Sequence, residues 1–356
     1  MSSKVFTVIG ARPQFIKATV VSRALKAAGV SEILCHTGQH YDPQLSEVFF
    51  RELGIPPASY ELGLGGGSHG QMTARMLEAI ESIVMKETPG LVLVYGDTNS
   101  TLAGALAAAK LHVPVAHVEA GLRSFNKRMP EEINRLVTDH VAALLFCSSD
   151  VGASNLQREN ITKGVEVVGD VMADSLEMAR ALLRNSRSRF LPAAAVGANF
   201  ALMTLHRAEN TDDPERLRSI LDASSSCKTP FILPLHPRTR NAIEANCIRL
   251  PSNVTAVEPA GYLQMACLIE AADFVMTDSG GLQKEAYWCA KPCITLREET
   301  EWVETVEAGW NVLVGANVCA IRAAMADPPR GRNHPALYGD GKAAERVAAR
   351  LREFLS

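Results

Sequence analysis

No apolar stretch in this chain approaches the about 18 residues that a membrane-spanning helix needs, so no transmembrane segment is expected. Nor does it open on a secretion signal: residues 1–4 lead straight into a short strand-like run, which excludes a signal peptide on this reading. It has little net charge. Lys and Arg number 36 against 39 Asp and Glu, a formal balance of -3. No basic excess suggests nucleic acid and no long acidic run suggests a disordered tail. The eight cysteines form no CxxC pair, and most lie in apolar segments such as Leu145-Phe146-Cys147. They are expected as reduced, buried thiols of a cytoplasmic protein. The nine histidines show neither HExxH nor HxH spacing, so no metal site is expected.

What is present is a soluble, globular composition, 47% hydrophobic and 21% charged over 356 residues, enough chain for two cores. Short apolar runs alternate with helical patterns. Strands are expected at 5–9, 32–36, 91–95, 115–118, 144–147 and 165–168, with helices at 15–28, 43–53, 69–86 and 100–110 between them. Continuously apolar strands separated by helices mean a parallel sheet covered on both faces. A helix at 172–185 and a loop-like mixture of Ser, Arg, Pro, Ala and Gly at 186–199 then interrupt the pattern. It restarts with strands from residue 200 and at 231–233, 254–257, 274–276, 293–296 and 312–314. The expectation is an α/β protein of two Rossmann-like domains facing a central cleft. Residues 1–170 plus 341–356 form the N-terminal domain, to which the last helix returns, and residues 171–340 the C-terminal, nucleotide-holding domain. Ligands of open parallel sheets bind beyond the carboxyl ends of the strands, so the chemistry belongs in the loops just after them.

Those loops are polar. After the first strand, Gly10-Ala11-Arg12-Pro13-Gln14 keeps only the first glycine of a dinucleotide fingerprint, against a classical NAD enzyme. It offers Arg12 and Lys17 at a helix start, suited to phosphate or carboxylate. Gln39 and His40 follow the second strand as hydrogen-bonding candidates, or as an ordinary turn. Asp97 and Glu119 sit on strand tips, where two acids repel unless something uses or compensates them, and Arg123 lies close behind Glu119. Glu131 and Glu132 follow Pro130 and would suit a helix start on structural grounds alone. In the second half His206 and His236 each stand just past a strand. The sharpest signal is Thr277-Asp278-Ser279-Gly280-Gly281-Leu282-Gln283-Lys284-Glu285, a strand, a Ser-Gly-Gly turn and a helix start. Glycines let backbone N–H groups approach a diphosphate, whose charge the helix dipole favours.

Taken together these segments resemble the non-hydrolysing bacterial UDP-N-acetylglucosamine 2-epimerases over essentially the whole chain. The resemblance is carried by Gly-Ala-Arg-Pro-Gln at 10–14, Gly-Asp-Thr at 96–98, His-Val-Glu-Ala-Gly-Leu-Arg at 117–123 and Pro-Glu-Glu-Ile-Asn-Arg at 130–135. It continues in His-Arg-Ala-Glu-Asn at 206–210, His-Pro-Arg at 236–238 and Asp-Ser-Gly-Gly-Leu-Gln at 278–283. It implies a glycosyltransferase B-type fold and an isomerase that needs no cofactor, with a UDP-sugar as partner, neither nucleic acid nor membrane, and a homodimeric assembly serving cell-surface polysaccharide synthesis. It makes Asp97, Glu119, Glu131 and His206 the catalytic set. Ser279, Gly280 and Gly281 would hold the diphosphate and Glu285 the ribose, with Arg12, Lys17, Gln39, His40, Arg123, Arg135, Arg207 and His236 as further substrate contacts.

The implied chemistry accounts for that set. A C2 hydrogen beside an amide nitrogen is too weakly acidic for direct removal. If UDP leaves first, C1 becomes oxocarbenium-like and the C2 proton labile, and a glycal results. Reprotonation on the other face and re-addition of UDP give the epimer. Two faces need two proton-transfer groups. Asp97 and Glu119 are assigned to the C2 proton, Glu131 to orienting or completing the relay, and His206 to the departing UDP. Two loops depart from the commonest family pattern, at 41–45 and at 125–129, where Lys127 and Arg128 could meet a uronate carboxylate. UDP-2,3-diacetamido-2,3-dideoxyglucuronic acid is therefore the alternative substrate to UDP-N-acetylglucosamine. A glycosyltransferase of the same fold, a hydrolysing epimerase and a non-catalytic UDP-sugar sensor are the competing classes.

Overall fold

A computed structural model describes residues 3–39, 57–184 and 187–356, which fall into two units. Unit 1 comprises Met1–Met178 and Tyr338–Ser356, and unit 2 comprises Ala179–Leu337.

Unit 1 is a seven-stranded parallel sheet in the order β3-β2-β1-β4-β5-β6-β7. Its strands are β1 (Lys4–Ile9), β2 (Ser31–His36), β3 (Tyr60–Glu61), β4 (Leu91–Tyr95), β5 (Val115–Ala120), β6 (Leu144–Cys147) and β7 (Val165–Val167). The helices are α1 (Arg12–Ala27), α2 (His69–Glu87), α3 (Asn99–Lys110), α4 (Pro130–Val141), α5 (Asp150–Arg158), α6 (Val171–Leu183) and, at the end of the chain, α15 (Ala343–Leu355). Phe6, Val8, Val92 and Val94 pack against Met76, Ile80 and Val84 of α2 and the alanines of α3. The small side chains of α3 matter here: a β-carbon at Gly104 would lie 3.1 Å from Val94 and 3.2 Å from Val8, so the helix rides close on the sheet. Each Val or Leu so buried contributes about 1.5–3 kcal/mol.

Unit 2 is a six-stranded parallel sheet in the order β10-β9-β8-β11-β12-β13. Its strands are β8 (Ala201–Thr204), β9 (Phe231–Pro234), β10 (Val254–Val257), β11 (Val275–Thr277), β12 (Cys293–Thr295) and β13 (Asn311–Leu313). The helices are α7 (Arg187–Phe190), α8 (Ala208–Thr211), α9 (Pro214–Ser224), α10 (Pro237–Ala245), α11 (Tyr262–Ala271), α12 (Gly280–Trp288), α13 (Val303–Glu307) and α14 (Val318–Ala326). Alternation along β8 shows why its run is apolar throughout. Ala201 and Met203 join one core with Leu217, Ile220 and Ile321, while Leu202 joins another with Leu268, Ile269 and Leu282.

Several details differ from the sequence reading. Helix α1 starts at Arg12 rather than 15, because Pro13 suits a first turn and the Gln14 carboxamide accepts from the Gly10 and Ala11 N–H groups ahead of it. The two-residue β3 and the four-residue α7 are too short to leave a periodic signal. The expected helix at 43–53 and His40 lie outside the described residues. The division between units falls inside α6, after Met178 instead of after residue 170, since Ser175 donates to the Ile16 carbonyl and Asp174 accepts from Ala343 and Ala344 at the start of α15. The return to unit 1 begins at Tyr338, whose carbonyl accepts from the Asp170 N–H, rather than at 341. Two cysteines, Cys247 and Cys319, are exposed rather than buried, each at or within a surface helix of unit 2.

Candidate active site

In each sheet the strand order reverses once, between β1 and β4 in unit 1 and between β8 and β11 in unit 2. Connections leave such a point in opposite directions and open a crevice beyond the strand ends. The loops carrying Arg12, Asp97, His206 and Ser279 follow these four strands, and Gln39, Glu119 and His236 belong to the ends of the neighbouring β2, β5 and β9.

In unit 1, Gln14 stitches the crevice together. Its amide nitrogen donates to the Tyr95 carbonyl at 2.7 Å and to Thr98 and Thr101, while its oxygen takes the two N–H groups after β1. Gln39 plays a matching part, accepting from the N–H and hydroxyl of Ser100 at the start of α3. Asp97 follows β4. Its carboxylate accepts from Arg135 at 2.8 Å, and Asn134 donates to its carbonyl at 2.9 Å. Glu119 sits where the β5–β6 register slips between Val118 and Ala120, in the left-handed region at φ 74°. A bulge of this kind re-aims a side chain, and a strained non-glycine residue is a mark of functional sites. Glu119 is paired with Lys17, whose ammonium also lies near Gly96. Asp97 feels all of these groups. Burial pushes its carboxyl up from the ordinary value, Arg135 and Lys17 oppose this, and Glu119 and Glu131 add to it. Asp97, Glu119 and Glu131 thus share one electrostatic neighbourhood, with Lys17 and Arg135 as counter-charges.

The two consecutive glutamates of α4 separate by role. Glu132 is buried. It accepts from the N–H groups of Ser124 and Phe125 and from Arg135, hanging the 124–129 loop on the helix. Burial raises its carboxyl, but these donors outweigh it and hold it below the ordinary value. Glu131 is only half-buried and faces the acids. Arg123 is buried and spends its guanidinium on Asp139 and, at both ends of a fork, on Glu159. The partner found for Glu119 is Lys17, where the sequence pointed to Arg123.

In unit 2, Asp278 at the end of β11 is fully buried. It accepts from the backbone N–H groups of His206 and Arg207 and from Asn210, and lies 3.1 Å from His206 Nδ1. Burial raises this carboxyl, but the donors, His206 first among them, bring it below the ordinary value. The His206 and His236 rings are neighbours, 5.5 Å between centroids, and His236 Nδ1 caps α10 by accepting from Arg238. Ser279 is the N-cap of α12 and Gly280 its first residue. The space in front of Gly280 is ringed by donors: a β-carbon there would lie 3.6 Å from Trp302 Nε1, 3.7 Å from an Arg207 nitrogen and 3.9 Å from an Arg297 nitrogen. Glu285 is buried one turn into the helix. Lys284, to which the sequence reading gave no role, sets its ammonium over the indole of Trp302, in the 297–302 segment that the sequence reading expected to help close the site, at 3.7 Å from the ring centroid. No periodicity marks such a pair, because Trp302 comes from the loop after β12. Arg12 opens α1, and its side chain lies outside what is described.

A family model described as UDP-N-acetylglucosamine 2-epimerase matches residues 23–352. The chain belongs to that family. Among its relatives, a Pseudomonas aeruginosa UDP-2,3-diacetamido-2,3-dideoxy-D-glucuronate 2-epimerase is 52% identical, covering 98% of this chain and 99% of the relative. A Methanocaldococcus jannaschii UDP-N-acetylglucosamine 2-epimerase is 42% identical, covering 97% of each. The crystal structure of the Methanocaldococcus jannaschii UDP-GlcNAc 2-epimerase in complex with UDP-GlcNAc and UDP superposes with a TM-score of 0.91 at 39% identity, covering 98% of this chain and 99% of that one. The glycosyltransferase B-type class of two Rossmann-like domains is therefore right, and so is the assignment to the UDP-sugar 2-epimerases, which are isomerases. No described helix is long and apolar enough to cross a membrane.

Proposed function

We propose that this epimerase inverts C2 of a UDP-linked 2-acetamido sugar by elimination and re-addition of UDP, and that its preferred substrate is UDP-2,3-diacetamido-2,3-dideoxyglucuronic acid. The observation that carries the chemistry is the pair of acids Asp97 and Glu119 on adjacent strand tips, one with its carboxyl pushed up and the other set against an ammonium. The C1–O bond breaks with its electrons passing to the diphosphate, a carboxylate takes the C2 proton, and a C1–C2 double bond forms. A second carboxyl returns a proton to the opposite face, and the UDP oxygen adds again at C1. Glu131 completes the relay. The donors around Gly280, the α12 N-terminus and His206 receive the departing diphosphate, and Glu285 the ribose. Lys17 and Arg135 act by holding Glu119 and Asp97 in place, Arg123 by anchoring Asp139 and Glu159, and Gln39 by holding the loop around the acids. Arg12, His40, Arg207 and His236 complete the substrate contacts of the proposal.

The uronate is favoured by the 52% identity to an enzyme named for that sugar and by the exposed Lys127 and Arg128 on the loop hung from Glu132. UDP-N-acetylglucosamine is the second reading, supported by the 42% identical relative. A homodimer and a cytoplasmic location belong to the same proposal and rest on the family resemblance. Proton NMR of the enzyme with each nucleotide in D2O tests it. The expected result is epimer with deuterium at C2 in both components, and turnover faster with the uronate. No exchange with either nucleotide would refute the chemistry, and faster turnover of UDP-N-acetylglucosamine would refute the substrate.

A further inference from the structure

The ladder between β4 and β5 runs regularly as far as the Gly96 N–H, which donates to the Val118 carbonyl at 2.9 Å. The Gly96 carbonyl is met instead by a side chain: His117 Nε2 lies 2.7 Å away. The other ring nitrogen, Nδ1, lies 2.7 Å from Asp139 Oδ1 on α4. Asp139 Oδ2 accepts from the Gly121 N–H at 3.1 Å and from Arg123 at 2.7 Å, and Arg123 forks on to Glu159. His117 and Asp139 are both fully buried.

A carbonyl has no hydrogen to give, so His117 Nε2 must donate. The Asp139 carboxyl faces two further donors on its other oxygen. Burial raises it, but His117 and Arg123 outweigh burial and hold it below its ordinary value. Both ring nitrogens of His117 therefore face acceptors, Nε2 the Gly96 carbonyl and Nδ1 the Asp139 carboxyl, and Arg123 stands between Asp139 and Glu159.

We propose that His117 and Asp139 are positioning residues for the acid pair. One hydrogen-bonded chain grips the backbone immediately before Asp97, at the Gly96 carbonyl, and two residues after Glu119, at the Gly121 N–H. It thereby fixes the two carboxylates relative to each other. Gly121 has room for no side chain, since φ is 79° and a β-carbon would lie 2.2 Å from the Gly152 carbonyl oxygen, so this grip point cannot slide. A displacement of the order of 1 Å between reacting groups can cost about 10²-fold in rate.

The inference rests on the proposed elimination chemistry for its rate readout, and it has a second readout that does not. Nitrogen-15 NMR of ring-labelled histidine in the free enzyme should show His117 with two ring N–H groups. In Asp139→Asn the amide donates to Nδ1, every contact survives, and one of those two N–H groups disappears. That variant should keep kcat within about threefold, while Asp139→Ala and His117→Phe lose about 10²-fold in kcat with KM little changed. A wild-type His117 ring with a single N–H overturns the proposal, as does near-wild-type kcat in a folded His117→Phe. If His117→Phe does not fold, the Asp139→Asn and Asp139→Ala comparison decides in the same way. A wild-type enzyme that epimerises neither nucleotide defeats the proposed function, whereas the NMR result still judges the clamp.

Discussion

Replacing Gly280 by alanine should separate folding from binding. A β-carbon at this position meets nothing closer than 3.6 Å, which is ordinary van der Waals contact, and the residue has no left-handed backbone to strain. It opens α12, where alanine outranks glycine by about 0.5–1 kcal/mol. At roughly 2–4 °C per kcal/mol for a unit of this size, Tm should rise by about 1–4 °C. The same methyl group fills the space in front of the helix N-terminus, among Arg207, Arg297 and Trp302. A diphosphate oxygen accepting there sits about 2.7–2.9 Å from its donor, too close to share the space with a methyl. Losing one hydrogen bond to a charged group costs about 1.5–3 kcal/mol, or roughly 10- to 150-fold in Kd. Calorimetric titration with UDP reads this loss, and titration with uridine, which lacks the diphosphate, should change little. UDP affinity within twofold of wild type would refute the cradle at Gly280.

Two further outcomes follow from the same geometry. Asp97→Asn and Glu119→Gln should each lower epimerisation by about 10²–10⁴-fold, the range for a lost general acid or base, and full turnover in the double variant would end their assignment to the C2 proton. Asp278 has a depressed carboxyl in the folded state, so the stability it supplies is complete above its unfolded value near about 3.9 and drains away as pH falls through the folded value. Asp278→Asn should therefore cost about 1–3 kcal/mol at pH 7 and progressively less below about pH 4, read by thermal unfolding of both proteins across that range. An equal difference at both ends would contradict the depressed value.

The sheets were legible because their strands are apolar on both faces, as the split of Ala201 and Met203 from Leu202 between two cores makes plain. The acids were legible because Asp97 and Glu119 stand at strand ends, where charge needs a reason. Their partners were not. Arg123 is only four positions beyond Glu119, yet it turns to Asp139 and Glu159, and the counter-charge of Glu119 comes from Lys17, 102 residues away. Helix-start chemistry did not separate Glu131 from Glu132, because both suit it, and only the family resemblance singled out Glu131. The difference appears only when Glu132 folds under the 124–129 loop. His117 was marked by no spacing of its own, since a histidine inside an apolar strand reads as core until the fold sets its ring between the Gly96 carbonyl and Asp139.

The two switch points have been built with opposite electrical character, and the proposed reaction needs both. Unit 2 gathers donors and cations at Gly280 around a helix N-terminus, which suits the charge that appears on a departing diphosphate. Unit 1 gathers carboxylates and compensates them individually, Asp97 with Arg135 and Glu119 with Lys17. The compensation is unequal. Burial and two acidic neighbours push the Asp97 carboxyl up against the opposing Arg135 and Lys17, whereas Glu119 is paired directly with the Lys17 ammonium. Carboxyls whose surroundings differ in this way are what an acid and a base on opposite faces of one carbon require. If the proposed clamp holds, His117 at the Gly96 carbonyl and Asp139 at the Gly121 N–H keep that difference fixed by packing.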